Sequence, residues 1–141
     1  RIPSLVIPAT ALRDEGTSYH YLPAAESVEA DAGIVEALQK ALGDIGLPVV
    51  TGPVWTTDAP YRETAEQLEQ HASNGVLAVE MQAASLFAFG AVRRVRCGLV
   101  AHVTNGVGHP EADQFDRGTH QLAFEILKAM YRAGRRCQRV R

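Results

Sequence analysis

The sequence predicts a mixed α/β fold in which a largely parallel sheet is flanked by helices. Short apolar segments alternate along the chain with longer segments of helical periodicity, and strands separated by helices are typical of sheets covered on both faces. The composition agrees, because 46% hydrophobic and 21% charged residues in 141 residues suffice for one domain with its own core. We expect residues 1–141 to form a single α/β domain.

In the first part of the chain, a strand and a long polar stretch precede the first helix. Ser4–Ala9 is mostly apolar and predicts the first strand. The polar stretch Arg13–Ala25 is too long for a simple turn, so we expect a functional loop there. Apolar residues then recur every four positions from 34 to 42, which predicts an amphipathic helix that the following glycines end. Leu47–Trp55 is the second predicted strand.

A second series of predicted elements follows Pro60, which interrupts the regular structure of the preceding strand. Tyr61–Ala72 has the Glu and Gln content of an exposed helix, and Asn74-Gly75 ends it. The remaining predicted elements are a buried strand at Val76–Val79, an apolar helix at Met81–Phe89, a strand at Gly98–Thr104 and a helix at Gln121–Ala133.

Charge and cysteine usage narrow the classes of function. A net charge of -2 gives no electrostatic reason to expect nucleic-acid binding, and the arginines between Arg132 and Arg141 suit a helix C-terminus and a solvated tail. The chain has no apolar run of the roughly 18 residues that a membrane helix needs. Cys97 and Cys137 lie in different settings and do not suggest a disulfide framework, so we expect a cytoplasmic protein.

The chain starts with Arg1 instead of a methionine and enters an apolar strand at once, with no signal peptide before it. We therefore expect a fragment or a processed chain, and an incomplete fold.

Polar side chains lie where an apolar strand turns into an apolar helix, at Glu80 and Gln82. Each costs about 1 to 3 kcal/mol in such a setting if it has no hydrogen-bond partner. Sugar hydroxyls are suitable partners, because a carboxylate accepts from two of them and an amide both accepts and donates. The alternative is that Glu80 only favours the first turn of the helix, where negative charge is stabilising.

The segment Glu80-Met81-Gln82-Ala83-Ala84 resembles the Glu-Met-Glu-(Ala/Ser)-Ala signature of the nucleoside phosphorylase family, which includes purine nucleoside and uridine phosphorylases. Residues 11–20 resemble the polar segment after an early strand in that family, and residues 55–61 resemble its Ser-Asp-x-Phe-Tyr turn. The resemblance implies a nucleoside phosphorylase-like fold, of which this chain is a C-terminal portion. It also implies a homo-oligomer that binds a nucleoside, with phosphate as co-substrate and no cofactor.

The resemblance assigns candidate residues for the sugar. Family members hold the ribose 2'- and 3'-hydroxyls with the Met of the signature and the acid after it, which fall on Met81 and Gln82, while Val79 and Glu80 come just before them. Gln82 replaces the acid, and its amide oxygen accepts a hydrogen bond without charge, which is the weaker kind. Weaker ribose discrimination, or a compensating role for Glu80, follows as a hypothesis.

For the base, the resemblance indicates Asn105 as the catalytic candidate. Adenosine-cleaving members place there an Asp that protonates the purine ring as the bond breaks, and an amide cannot act as a general acid. An amide donates to one ring atom and accepts from another, which suits a 6-oxopurine or a pyrimidine. The alternative is that Asn105-Gly106 is an ordinary turn pair.

Three residues near the Ser-Asp-x-Phe-Tyr-like turn are further base-binding candidates. Trp55 and Tyr61 are aromatic and able to stack on a base, and Arg62 lies near the place where uridine-specific relatives read uracil with a Gln and an Arg. The alternatives are that Trp55 belongs to the core and that Arg62 is an exposed arginine at a helix start.

Other polar residues are assigned structural roles. We expect Arg13 to form a surface salt bridge with Asp14 or Glu15, and Asp58 to cap the next helix. His102, His109 and His120 lack the spacing of a metal site, and residues 106–108 are too few for a phosphate loop. In the family, the phosphate site comes mainly from an N-terminal half that is not among these residues.

Three functions remain open. The first is a nucleoside phosphorylase that acts on uridine or a 6-oxopurine nucleoside. The second is a nucleosidase, which uses water in place of phosphate but relies on the acid that Asn105 replaces. The third is a non-catalytic nucleoside-binding or assembly module, which the loss of the second acid of the signature favours.

Overall fold

A computed structural model describes residues 5–43, 45–46, 48–106 and 120–138 of the chain. Its strands and helices are, in chain order, β1 (Leu5–Asp14), β2 (Ser27–Glu29), α1 (Ala32–Leu42), β3 (Val49–Thr57), α2 (Ala65–Ser73), β4 (Val79–Glu80), α3 (Ala83–Arg93), β5 (Ala101–His102) and α4 (His120–Gln138). Short 3₁₀ turns occur at Thr17–His20 and Pro60–Arg62. The predicted mixed α/β class is confirmed.

The sheet has the strand order β2-β1-β3-β4, and β5 also pairs with β1. β1 and β3 run parallel along their whole length, from Leu5 beside Val49 to Asp14 beside Thr57. β4 is parallel to β3, while β2 and β5 are antiparallel to β1. The carboxyl ends of β1, β3 and β4 therefore lie on one edge of the sheet, where open α/β sheets bind their ligands.

Helices cover both faces of the sheet because the side chains of β1 alternate. Leu5 and Ile7 are fully buried against α1 and α4, in a core that includes Leu38 and Ile126. Val6 points to the opposite face and is buried with residues of β3 and α3. Successive side chains of a strand point to opposite faces, so one strand contributes to two hydrophobic cores. The sheet covered on both faces is as predicted.

Helix starts follow local side-chain caps. Asp31 caps α1, since its Oδ1 accepts the backbone N–H of Ile34 at 2.9 Å. Thr64 and Gln67 form a capping box at the start of α2. This box places the start of α2 at Ala65, so the prediction that the helix begins at Tyr61 is wrong by four residues. Tyr61 lies instead in the preceding 3₁₀ turn.

Several predicted strand boundaries are wrong because pairing with neighbours sets them. β1 continues through Asp14, past the predicted end at Ala9, because β3 pairs with it over that length. β2 was not predicted; it follows the expected loop Arg13–Ala25, whose first two residues belong to β1. Conversely, β4 takes in only the last residue of the predicted strand 76–79 and continues to Glu80, and β5 takes in only Ala101–His102 of the predicted strand 98–104. Local composition does not reveal which strands pair, so it does not determine where a strand begins or ends.

Within the part of the chain that the structure describes, no helix is both long enough and apolar enough to cross a membrane.

Candidate functional site

A cavity of about 470 Å³ separates the β4 region from the segment that contains β5. One wall is residues 76–82 and the other is residues 99–106, with Trp55 of β3 and three residues of α2 between them. The sequence candidates on these walls are Trp55, Val79, Glu80, Met81, Gln82 and Asn105. Six predicted site residues thus share one cavity, although the sequence separates the first from the last by 50 positions.

The Glu80 carboxylate is bound by the protein itself. Its Oε1 accepts the hydroxyl of Thr56, and its Oε2 accepts the backbone N–H groups of Gln82 at 2.6 Å and Ala83 at 2.8 Å. Thr56 Oγ1 in turn accepts the N–H of Ala84 at 3.1 Å. Together these groups accept three N–H donors that the start of α3 leaves without helical partners. The capping alternative stated for Glu80 therefore accounts for its polar atoms, and three of about four acceptor positions of the carboxylate are used.

Gln82 differs from Glu80 in that its amide makes no hydrogen bond to the described residues. Gln82 occupies the N-cap position of α3 without a side-chain cap bond, is exposed, and lines the cavity. Met81 beside it is 53% exposed and lines the same wall. The amide and the thioether are thus the groups of the signature that remain available to a ligand.

Trp55 is a core residue that also forms part of the cavity wall. Its side chain is 2% exposed, and its Nε1 donates to Asp14 Oδ2 at 2.9 Å. The ring of His71 packs on it with a centroid distance of 4.5 Å and an interplanar angle of 41°. With His71 packed on it and 2% of its surface exposed, Trp55 offers little ring surface on which a base could stack.

His71 is a cavity residue that the sequence interpretation missed. It lies on α2 with Leu68 and Ala72, and all three line the cavity. These positions follow i, i+3, i+4 spacing, so they share one face of the helix. The spacing is present in the sequence, but the Glu and Gln residues around it predict a helix that is exposed on all sides.

Asn105 lines the cavity from the opposite wall, together with His102 and Thr104. Its Oδ1 lies 3.5 Å from the Thr104 hydroxyl, which is the outer limit of a hydrogen bond. The amide nitrogen of Asn105 makes no hydrogen bond to the described residues. Its donor capacity is therefore available on the cavity side.

Tyr61 and Arg62 do not line the cavity. Tyr61 is 100% exposed in the 3₁₀ turn, and Arg62 beside it is exposed as well. Asp58 does not cap α2 as predicted, because Thr64 does so; Asp58 Oδ2 accepts the N–H of Gly16 at 2.9 Å instead. This contact joins the end of β3 to the segment after β1.

The prediction of a surface salt bridge for Arg13 is wrong. Arg13 is buried, and its guanidinium donates to Ser18 Oγ at 2.8 Å and to the carbonyl oxygens of Pro23 at 2.7 Å and Leu22 at 3.2 Å. It also lies 4.1 Å from the centre of the Tyr19 ring. Arg13 is not part of the cavity wall, so its role is to fold the segment after β1.

Glu15 belongs to the same buried network. Its carboxylate accepts the N–H of Ser18 at 2.9 Å and the hydroxyl of Ser85 on α3 at 2.9 Å. Burial raises the pKa of Glu15, but the hydrogen bonds from Ser18, Ser85 and Thr17 outweigh it and hold the pKa below the ordinary value. Glu15 thus stays ionised and ties the segment after β1 to α3.

The described cavity wall carries one carboxylate and no cationic Lys or Arg side chain. No Lys or Arg is among the described residues that line it, and its single carboxylate is that of Glu80. The described residues also contain no group of three or more His, Cys, Asp or Glu side chains placed to hold a metal ion. His109 and residues 107–108, for which no metal or phosphate role was predicted, lie outside the described ranges. A cavity wall with one carboxylate and no Lys or Arg suits an uncharged polar ligand.

Curated relatives of this chain include several nucleoside phosphorylases. The DeoD-type purine nucleoside phosphorylase of Jannaschia sp. (strain CCS1) is 36% identical over 83 residues, which are 59% of this chain and 36% of that protein. The uridine phosphorylase of Treponema pallidum (strain Nichols) is 33% identical over 108 residues, 69% of this chain and 42% of that protein. The guanosine phosphorylase of Halorubrum lacusprofundi is 31% identical over 106 residues, 72% of this chain and 42% of that protein. The chain therefore spans less than half the length of these relatives.

A solved structure and a family model agree with these relatives. The crystal structure of AMP nucleosidase from Bacteroides thetaiotaomicron VPI-5482 matches 99% of this chain and 57% of its own chain, with a TM-score of 0.73 and 22% identity, which shows a shared fold. The model of the phosphorylase superfamily matches residues 1–140. The resemblance seen in the signature segment is thereby confirmed, and the chain belongs to the phosphorylase superfamily.

Proposed function

We propose that this chain is the C-terminal part of a nucleoside phosphorylase domain and that its cavity holds the nucleoside. The reaction cleaves the N-glycosidic bond with phosphate and releases a free base and (deoxy)ribose 1-phosphate. The observation that carries the proposal is a cavity without Lys or Arg on its described walls, which combine the signature residues Met81 and Gln82 with Asn105. We propose a homo-oligomeric, cytoplasmic enzyme, as in the expectation from sequence.

The sugar is assigned to the wall formed by residues 79–82. A pentose presents hydroxyl groups that both donate and accept, and the Gln82 amide offers both kinds of partner. Met81 supplies an exposed apolar surface for the sugar ring beside it. Glu80 acts indirectly, because its carboxylate accepts the N–H groups of Gln82 and Ala83 and so holds the backbone of this wall in place.

The base is assigned to the wall that carries Asn105. When a phosphate oxygen attacks the anomeric carbon, the bond to the base breaks and its electron pair leaves on the base. A base with ring carbonyls carries this charge on oxygen and is later protonated from water. An amide N–H directed at that oxygen stabilises the developing charge, so a uridine or 6-oxopurine nucleoside is favoured over adenosine.

The absence of Lys and Arg from the described cavity wall favours a nucleoside over a nucleotide as the ligand. A phosphate group is normally bound by cations or by free N–H groups of a helix start. The described cavity residues supply no Lys or Arg, and the Glu80 carboxylate already occupies the start of α3. This supports an uncharged nucleoside as the ligand of this cavity and assigns the co-substrate phosphate to residues other than those described on the wall.

Base release from a nucleoside panel, with and without phosphate, tests the proposal. The measurement is made on this chain and on a longer polypeptide that contains it, and we expect the longer polypeptide to release base from uridine, inosine or guanosine only when phosphate is present. Release without phosphate would indicate a nucleosidase instead. Calorimetric binding of a nucleoside without turnover would indicate the non-catalytic module, which the uncharged Gln82 and Asn105 favour. No binding of any nucleoside would overturn the proposal.

Asn105→Asp is expected to shift preference toward adenosine. A carboxylic acid is able to protonate a purine ring nitrogen, whereas an amide is not, and general acid catalysis contributes about 100-fold or more to rate. The measurement is the ratio of base release from adenosine to that from inosine in the variant and the unmodified protein. An unchanged ratio would assign Asn105 to the turn alone.

A further inference from the structure

The signature segment has one acid and one amide, and the structure gives them different tasks. Glu80 accepts hydrogen bonds from Thr56, Gln82 and Ala83, all of them groups of the protein. Gln82 lines the cavity with an amide that has no partner among the described residues. The polar group that faces a sugar from this segment is therefore an amide, and it is uncharged.

An amide and a carboxylate differ in which substituents they admit. A carboxylate only accepts hydrogen bonds, so a ligand atom that also only accepts is repelled by it. An amide carries two N–H donors in addition to its carbonyl oxygen. Gln82 is exposed, so its side chain is able to rotate and present either end to a ligand.

We propose that the cavity takes nucleosides whose sugar carries an acceptor-only substituent, such as fluorine or a methoxy group, in place of the 2'- or 3'-hydroxyl. In this arrangement the Gln82 N–H group donates to the substituent, and with an ordinary ribose the Gln82 carbonyl oxygen accepts from the hydroxyl. This inference rests on the proposed function, because it presumes that the pentose lies against residues 79–82. It deepens that function by naming a substrate class.

The cavity has the properties that such substrates need. Its volume of about 470 Å³ is within the range of small-molecule sites, about 300 to 1,000 Å³. Its single carboxylate accepts three hydrogen bonds from the protein, so most of its acceptor positions are directed at protein donors and not at the substituent. The exposed Met81 side chain offers an apolar neighbour for a methyl group.

The test compares dissociation constants for uridine, 2'-fluoro-2'-deoxyuridine and 2'-O-methyluridine, and for the three matching inosine compounds. We expect the unmodified protein to bind the fluoro compound of its preferred base within about fivefold of the parent nucleoside, because organic fluorine accepts hydrogen bonds only weakly and the exchange forfeits at most the net contribution of about one uncharged hydrogen bond. Gln82→Glu is expected to bind the parent about fivefold more tightly and the fluoro compound about tenfold more weakly, because hydrogen bonds to charged groups are stronger and acceptors repel one another.

Two further variants test whether the affinity ratios depend on the Gln82 amide itself or only on the added charge. Gln70→Glu adds the same charge on α2 at a position outside the cavity wall, and we expect it to leave all the ratios unchanged. Gln82→Met keeps the length of the side chain without its polar atoms, and it is expected to bind all three compounds of a series about equally. Unfolding temperatures of all variants confirm that each is folded under the assay conditions.

The outcomes distinguish this inference from the proposed function. If the unmodified protein binds the parent nucleoside but rejects the fluoro and methoxy compounds by tenfold or more, the inference is wrong and the nucleoside site stands. If the ratios in Gln82→Glu equal those of the unmodified protein, Gln82 does not contact the substituent and the inference is also wrong. If no parent nucleoside binds, the proposed function itself is overturned.

Discussion

Replacing Thr56 with valine is expected to lower the free energy of unfolding by about 3 kcal/mol and to weaken nucleoside binding. Thr56 is fully buried, donates to Glu80 and accepts the N–H of Ala84 at 3.1 Å. Valine has the same shape but leaves a carboxylate oxygen and a backbone N–H without these partners, and each unsatisfied buried group costs about 1 to 3 kcal/mol. Urea unfolding and the nucleoside dissociation constant of the folded variant measure the two effects.

Binding should weaken because Glu80 transmits the change to the sugar wall. Its other oxygen holds the N–H groups of Gln82 and Ala83, so a displaced carboxylate releases the turn that presents the Gln82 amide. We expect the dissociation constant to rise about tenfold, since a small misplacement of a binding group is costly. Thr56 is a positioning residue in this account, and it does not contact the ligand.

Thr57→Val is the matched control for this prediction. Thr57 is 2% exposed, but its hydroxyl accepts only the N–H of Ala59, at 3.2 Å, and does not touch Glu80. Its loss should cost about 1 kcal/mol of stability and leave binding unchanged. Thr56→Ser, which retains the hydroxyl, should restore binding. Equal effects of the two valine variants on binding would contradict a special role for Thr56.

Much of the fold is predictable because periodicity marks burial. The apolar spacing at Ile34, Leu38 and Leu42 identified α1, and all three side chains are buried in the core beside β1. The apolar segment Met81–Phe89 identified α3 for the same reason. What local sequence could not supply was the length of β1 and the existence of β2, since both depend on strands that pair from distant positions.

The candidate site was predictable in part, for a related reason. The strand-to-helix junction at Glu80 was visible because polar residues there interrupt two apolar runs. The partner that takes up the Glu80 carboxylate, Thr56, lies 24 positions away, and only the parallel pairing of β3 with β4 brings it close. Tyr61 and Arg62 are candidates only through their position in the Ser-Asp-x-Phe-Tyr-like motif. Both lie in a short 3₁₀ turn outside the cavity.

Replacing Arg13 with methionine is expected to lower the free energy of unfolding by about 4 kcal/mol without changing nucleoside affinity. The guanidinium satisfies one hydroxyl and two carbonyl oxygens in the segment after β1, and it covers the Tyr19 ring. Methionine fills similar volume but donates nothing, and hydrogen bonds to charged groups contribute about 1.5 to 3 kcal/mol each, less where water reaches the acceptor, as at the exposed Pro23. Arg13→Lys should be intermediate, because an ammonium cannot reach three acceptors in a fork.

Affinity should be spared because none of the hydrogen bonds of the Arg13 side chain goes to a residue that lines the cavity. Arg13 contacts Ser18, Leu22 and Pro23, none of which lines the cavity, whereas Thr56 is bonded directly to Glu80 on the wall. Arg62→Met is the control, since Arg62 is exposed and its loss should change stability by no more than about 0.5 kcal/mol. If the folded Arg13→Met variant binds nucleoside tenfold more weakly, Arg13 reaches the ligand and the buried network is part of the site.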